Sequence, residues 1–195
     1  MTTVNFTRGS RSYLRAADML AVAPVPPTAT SFEVRFRKLI TQAGYWRQAD
    51  SFANDDILAE LKLSAPSGPQ TWVFVPDPQV GSLQVLQEVA EEEFISSAVL
   101  RDGQFLCPLV NGVGFWDQLI AIIRCGGASV YPGRRWQVAA LGLTRWPLPD
   151  ALAGRILSLE ILRTRGPLVT LRFGLDGASY GTVSLFALPQ EPSHG

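Results

Sequence analysis

The run Gly112–Gly127, GVGFWDQLIAIIRCGG, constrains this chain more than any other stretch. Val113, Phe115, Trp116, Leu119, Ile120, Ala121, Ile122 and Ile123 leave it almost no polar face. A helix that is apolar all round is a buried helix. This one is too short to span a bilayer, and it carries Asp117 in its middle. Gly112 is expected to open it and Gly126-Gly127 to close it, which is the usual chemistry of a helix stop. Alternating strands follow to the end of the chain. The pattern predicts a sheet wrapped around one central helix that holds a carboxylate.

Composition removes several function classes. With 47% hydrophobic residues among 195, the chain can build a real core and is too apolar for disorder. Its 17 basic residues balance 17 acidic ones, so neither nucleic acid nor an anionic membrane is implied as a partner. The N-terminal MTTVNFTRGSRSYL has no apolar signal core, and no window is apolar enough for membrane insertion. Cys107 and Cys125 cannot make a disulfide framework and read as two reduced packing residues, so a cytoplasmic location is expected. The single histidine, His194, lies in the terminal tail. A Ser-His-Asp or Cys-His nucleophile system is therefore not expected, nor is a zinc site. No GxxxxGK(S/T) loop and no GxGxxG after a strand is present, so no cofactor is implied. Carboxylate, amide and backbone chemistry remain.

Taken in order, Tyr13–Ala23 reads as a short helix stopped by Pro24, Pro26 and Pro27. Phe32–Ile40 alternates as a half-exposed strand, and 41–56 reads as a long connection. Leu58–Ser64 and Thr71–Val75 form a hairpin about Ser67-Gly68-Pro69. Residues 82–95 fit a strand or a helix, and Asp102–Pro108 reads as an irregular lead-in to the central helix. Trp136–Leu143, Ile156–Arg163, Leu168–Leu175 and Tyr180–Leu188 read as strands, the last three successive and antiparallel.

Helix, strand and hairpin thus occur twice. Gly68-Pro69 matches Gly166-Pro167 at an offset of 98 residues, which places Leu61 on Leu159, Leu63 on Ile161, Val73 on Leu171 and Val75 on Phe173. Asp18-Met19-Leu20-Ala21 compares with Asp117-Gln118-Leu119-Ile120. A duplicated helix-on-sheet unit follows, 1–90 and 91–195. Neither half would bury much alone, so the two should pair.

A buried apolar helix, a Gly-x-Phe-x-x-Pro segment before it and long antiparallel strands after it resemble the hotdog fold. More specifically, residues 102–188 resemble the β-hydroxyacyl-ACP dehydratases of fatty-acid synthesis. Their helix carries an acid five residues after a Gly, as Asp117 follows Gly112. The resemblance implies an α+β double hotdog that binds or processes an acyl-CoA or acyl-ACP thioester. It also implies catalytic positions at Asp117, Gln104 and, through the repeat, Asp18. In that family a site is shared between two units, so Gln104 would face Asp18 and Asp117 would face the region of Asn5. Gln104 stands where the family has its histidine, Leu106 replaces the next Pro, Asn111 the second Pro, and the segment is one residue shorter. Gln takes no proton at neutral pH.

Three readings stay open on these residues. A dehydratase-like enzyme would need Asp117 or Asp18 to replace the histidine. A hotdog thioesterase would use Asp117 as base and Gln104 to hold water. A non-catalytic acyl-binding or partner subunit needs neither. In each, Gly112, Val113, Gly114 and Trp116 would line the substrate, with helix N–H groups polarising the carbonyl. Against these stands a structural Asp117 paired with an arginine such as Arg15, and a Trp116 and Trp136 that serve the core. The pantetheine would leave past Arg134 and Arg135 in the turn after Tyr131-Pro132-Gly133. A double hotdog could act as a monomer, whereas a single one needs a homo-oligomer to complete a site.

Overall fold

The computed structural model describes residues 2–9, 12–49, 56–87, 95–146 and 152–188. The chain divides into two compact units, Met1–Ala90 with Gly142–Asp150 and Glu91–Leu141 with Ala151–Gly195.

The first unit contains β1 (Thr3–Val4), β2 (Phe6–Arg8), α1 (Ala16–Ala21), β3 (Ser31–Phe36), β4 (Gly44–Gln48), β5 (Ala59–Ser64), β6 (Gln70–Pro76) and β7 (Gln84–Leu86). Its sheet runs β1-β4-β6-β5-β3, antiparallel at each step, while β2 and β7 pair in parallel beside it. Alternation places Phe32 and Val34 of β3 and Leu61 and Leu63 of β5 in the core, all at 3% exposure or less. Strand β3 ends at Phe36, earlier than Ile40, because Arg37, Lys38 and Leu39 lie exposed. Ile40 is nonetheless buried, and its carbonyl accepts the Leu14 N–H at 2.7 Å. The connection expected over 41–56 contains β4. Its Trp46 is buried edge-on to Phe74 and donates its indole N–H to the Met19 carbonyl at 3.0 Å. Helix α1 is shorter than Tyr13–Ala23, since Arg15 holds extended backbone angles as its N-cap. In the stretch left between strand and helix, residues 84–86 are strand, and 88–94 lie outside the described residues.

The second unit contains β8 (Val99–Arg101), β9 (Gln104–Pro108), α2 (Phe115–Val130), most of β10 (Arg135–Leu143), β11 (Ile156–Arg165), β12 (Leu168–Leu175) and β13 (Ala178–Leu188). Its strand order is β10-β13-β12-β11-β9-β8. The segment expected to be irregular, 102–108, is largely strand: Gln104–Pro108 pairs with β8 on one side and β11 on the other. Leu157, Leu159, Val169, Leu171, Phe173, Val183 and Leu185 are each at most 1% exposed and form the core with the apolar side of α2. Burying each such side chain stabilises by about 1.5–3 kcal/mol.

Two features of the central helix differ from the sequence expectation. It starts after Gly114, not at Gly112, and it runs through Gly126-Gly127 to Val130. Those glycines are not a stop signal; they are where the sheet comes closest. A Cβ on Gly127 would lie 2.7 Å from the Trp136 ring, and one on Gly126 would rest 3.5 Å from Leu171. The repeat offset also fails in register. The first hairpin closes over 65–69 and pairs Leu61 with Trp72, whereas the second closes over Gly166-Pro167 alone and pairs Leu159 with Phe173. A register irregularity between Ile161 and Arg163 then leaves Ile161 37% exposed, although its counterpart Leu63 is buried.

Candidate functional site

The start of α2 is the best-defined chemical feature of the second unit. Strand β9 delivers the chain to Leu109, whose N–H and carbonyl bond Arg155 and Gly154 at 2.8 Å each. From there 110–113 loops to the helix, with Gly112 at φ +78°, a left-handed conformation that suits glycine. Gly114 is the N-cap, extended, with no side chain capping the first turn. The first four N–H groups of a helix have no partner inside it, and the helix start carries a partial positive charge. Asp117 sits in that first turn, half-buried, and its Oδ2 would be 3.1 Å from a Cβ on Gly114. Glycine at 114 therefore leaves room for the carboxylate to fold back over the helix end. Trp116 is half-buried beside Phe115, ring centroids 5.1 Å apart and edge-on. Val113 is half-buried, and Gly112 and Gly114 are exposed.

Gln118 holds this loop in place, and sequence reasoning passed over it. Its amide is 3% exposed; it accepts the Val110 N–H at 2.8 Å and donates to the Val110 carbonyl at 3.1 Å and the Val113 carbonyl at 3.0 Å. The available signal was the lone amide inside a buried apolar run, since a buried amide must find partners.

Gln104 lies elsewhere. It begins β9 and is exposed, four residues before Pro108, which is about 13 Å of strand. It borders a hollow of about 150 Å³ with Ser158, Ser179 and the Glu160–Arg172 ion pair of 3.3 Å. Asp18 is 6% exposed in the first unit, in the first turn of α1, with Arg8 Nε at 3.1 Å and Arg15 Nε at 4.0 Å. Arg15, considered above as a partner for Asp117, thus lies beside Asp18. Asn5 is half-buried, and its carbonyl accepts the Gln84 N–H at 2.8 Å. Cys107 is buried in β9 with Ser97 Oγ at 3.8 Å. Burial pushes its thiol pKa up, against a smaller lowering by Ser97, so it is poorly suited to act as a thiolate nucleophile. Cys125 is half-buried, and both cysteines are free. Among the described residues no group of three or more His, Cys, Asp or Glu could hold a metal ion, and no helix is long and apolar enough to cross a membrane.

No protein-family model and no curated protein sequence matches the chain. Solved structures do. The tesB protein of Mycobacterium avium subspecies paratuberculosis aligns over 96% of this chain and 92% of its own, with TM-score 0.54 and 10% identity. A hot dog fold protein of Alicyclobacillus acidocaldarius aligns over 90% and 86%, with TM-score 0.43 and 9% identity. An acyl-CoA thioesterase II of Mycobacterium marinum aligns over 92% and 89%, with TM-score 0.42 and 13% identity. At these identities the likeness concerns the fold. The likeness to the first of these, together with a helix and an antiparallel sheet among the described residues of each unit, places the chain in the hotdog fold, as a double hotdog of the α+β class.

Proposed function

We propose that the protein hydrolyses acyl thioesters at the start of α2, with Asp117 as general base. The observation that carries this reading is a half-buried carboxylate in the first turn of a buried helix whose N-cap, Gly114, carries no side chain to compete at the helix start. Asp117 takes a proton from a water, whose oxygen attacks the thioester carbonyl carbon. The oxyanion that forms is held by the first-turn N–H groups near Phe115 and Trp116. Collapse breaks the C–S bond, and the departing sulfur takes up the proton from Asp117, giving a carboxylic acid and a free thiol. Val113 and Trp116 supply the apolar wall for the acyl group, and Gln118 positions the loop that carries Gly112 and Val113.

Hydrolysis fits these residues better than dehydration. Removing a proton beside a thioester carbonyl needs a base where Gln104 stands, and an amide cannot serve. The ion pairs of Asp18 with Arg8 and Arg15 give that acid a structural task in this reading. A general base contributes about 10²–10⁴-fold. The test is thiol release from an acyl-CoA and acyl-ACP panel by the wild type and by Asp117→Asn. Release that falls at least about 100-fold in the variant, with its circular dichroism unchanged, supports the reading. Reversible hydration of an enoyl-CoA without thiol release would replace it by the dehydratase reading. No turnover of any thioester would favour an acyl-binding subunit.

A further inference from the structure

The loop that leads into α2 carries the pair Asn111-Gly112. Asparagine is a chemically labile residue. The backbone nitrogen that follows it can attack the side-chain amide carbon and close a five-membered ring, and a glycine there has no Cβ to crowd the approach. The surroundings leave this reaction open. Asn111 and Gly112 are both exposed. Gly112 has φ +78°, and apart from its chain neighbours no heavy atom lies within 4 Å of where a Cβ would stand. Among the described residues neither the Asn111 side chain nor the Gly112 N–H has a hydrogen-bond partner. The Gln118 amide ties Val110 and Val113, and the two residues between them are left untied.

Comparable positions are held back. Asn5 is half-buried, is followed by the bulky Phe6 of β2, and its carbonyl accepts the Gln84 N–H at 2.8 Å. Asp176-Gly177 could close the same ring, but the Asp176 carboxylate accepts from Arg155 Nη1 at 3.0 Å and from the Ile156 N–H at 2.9 Å. Asp102-Gly103 is exposed, but an ionised carboxylate resists a nucleophile better than an amide does.

We propose that Asn111 is a site of spontaneous deamidation in the folded protein, which installs a second carboxylate at the head of α2. The Gly112 nitrogen loses its proton and bonds to Asn111 Cγ. The bond from Cγ to the side-chain nitrogen breaks, and ammonia leaves with a proton. Water then opens the resulting succinimide at one of its two carbonyls, giving aspartate or isoaspartate. Water is the only co-reactant. The new anion stands near the partial positive charge of a helix start. One consequence rests on the hydrolase reading: an anion there competes with the oxyanion and lowers turnover.

The experiment ages the full chain in neutral and in mildly alkaline buffer and maps it by mass spectrometry, with labelling by isoaspartate methyltransferase as the second readout. Asn111 should gain the mass of NH2 replaced by OH and take the label, faster in the alkaline buffer, while Asn5 keeps its amide. Asn111→Gln should take no label, because its ring would need six atoms. Gln118→Leu unties the loop and should speed conversion about fivefold or more. Gly127→Ala, which disturbs the far end of α2, should leave the rate unchanged. An Asn111 that keeps its amide while a synthetic peptide of residues 107–116 converts overturns the proposal. A rise in Gly127→Ala as large as that in Gln118→Leu also overturns it, since the reaction then belongs to the unfolded chain. Turnover is read separately. Aged protein and Asn111→Asp should release thiol about tenfold or more slowly than fresh wild type. Conversion at Asn111 with undiminished thiol release counts against the helix start as the oxyanion site, whereas absence of conversion counts against the modification alone.

Discussion

Asp18 and Asp117 occupy the first turns of α1 and α2 and sit in similar sequences, yet the structure gives them different surroundings. Asp18 is buried at 6% exposure, with Arg8 and Arg15 against its oxygens. Helix α1 around it has six residues, too few to hold together without tertiary support. Asp117 is half-buried at the head of a 16-residue helix, folded back over a glycine N-cap. The difference lies in what precedes each acid. Arg8 and Arg15 come shortly before Asp18, whereas 109–116, before Asp117, contains no charged residue. The acid of α1 thus lies against two arginines of its own stretch of chain, and the acid of α2 lies over a glycine N-cap.

The comparison breaks most visibly under paired substitution. Asp117→Asn should cost about 10²-fold or more in thiol release and little stability. Asp18→Asn should do the reverse. It takes the anion from beside Arg8 and Arg15, and removing one partner of a buried pair costs about 3–5 kcal/mol, toward the low end here because the Arg8 side chain is 26% exposed. Urea unfolding and turnover, measured on the same preparations, decide it. An Asp18→Asn protein of wild-type stability that has lost turnover would assign the chemistry to the first unit instead.

Gln118→Leu comes next. The shape is kept, but two Val110 groups and the Val113 carbonyl lose their partner; Val110 is exposed and water replaces part of the loss, so the cost is about 1–3 kcal/mol in all. Amide exchange should speed up at Val110 while Trp46 and Phe74 of the first unit stay protected. Uniform loss of protection would mean that Gln118 supports the whole chain rather than one loop.

The sheet strands were largely legible because burial imposes a period of two. Leu159, Leu171, Phe173, Val183 and Leu185 alternate cleanly, and all are buried. Strands β4 and β9 were not legible. Gly44 and Gly103 begin or precede them, Pro108 ends the second, and glycine and proline read as loop when no partner strand is in view. Gly126-Gly127 was misread for a related reason: a helix stop and a close helix–sheet approach both call for a missing Cβ, and only Trp136, nine residues after Gly127, tells them apart. At the site, the helix and its acid were visible in the sequence. Gln118's three hydrogen bonds were not, because they depend on how the 110–113 loop folds back on the helix.

That glycine pair gives a sharper contrast within α2 itself. Gly127→Ala should destabilise by about 1–3 kcal/mol, since its Cβ would press into a ring held by Tyr131 and the helix. Gly126→Ala meets only ordinary contacts at 3.5 and 3.6 Å and should be neutral or stabilising by about 0.4–1 kcal/mol through the unfolded chain. Equal losses at the two positions would show that the helix cannot accept a side chain anywhere along that turn.

The smallest expected effect concerns Cys107, the other reactive group type near the loop. Burial raises its thiol pKa, so the folded protein keeps its proton at a pH where the unfolded chain has begun to lose it. The folded state then binds more protons than the unfolded one, and stability from this group is intact below the ordinary thiol pKa of about 8.5 and declines as pH rises through the folded value. Cys107→Ala should flatten the alkaline fall in unfolding free energy above about pH 8, and leave thiol release from substrate unchanged. Loss of turnover in that variant at wild-type stability would move the nucleophile from a water at Asp117 to a sulfur in β9, and would place the second unit's chemistry on its strand rather than its helix.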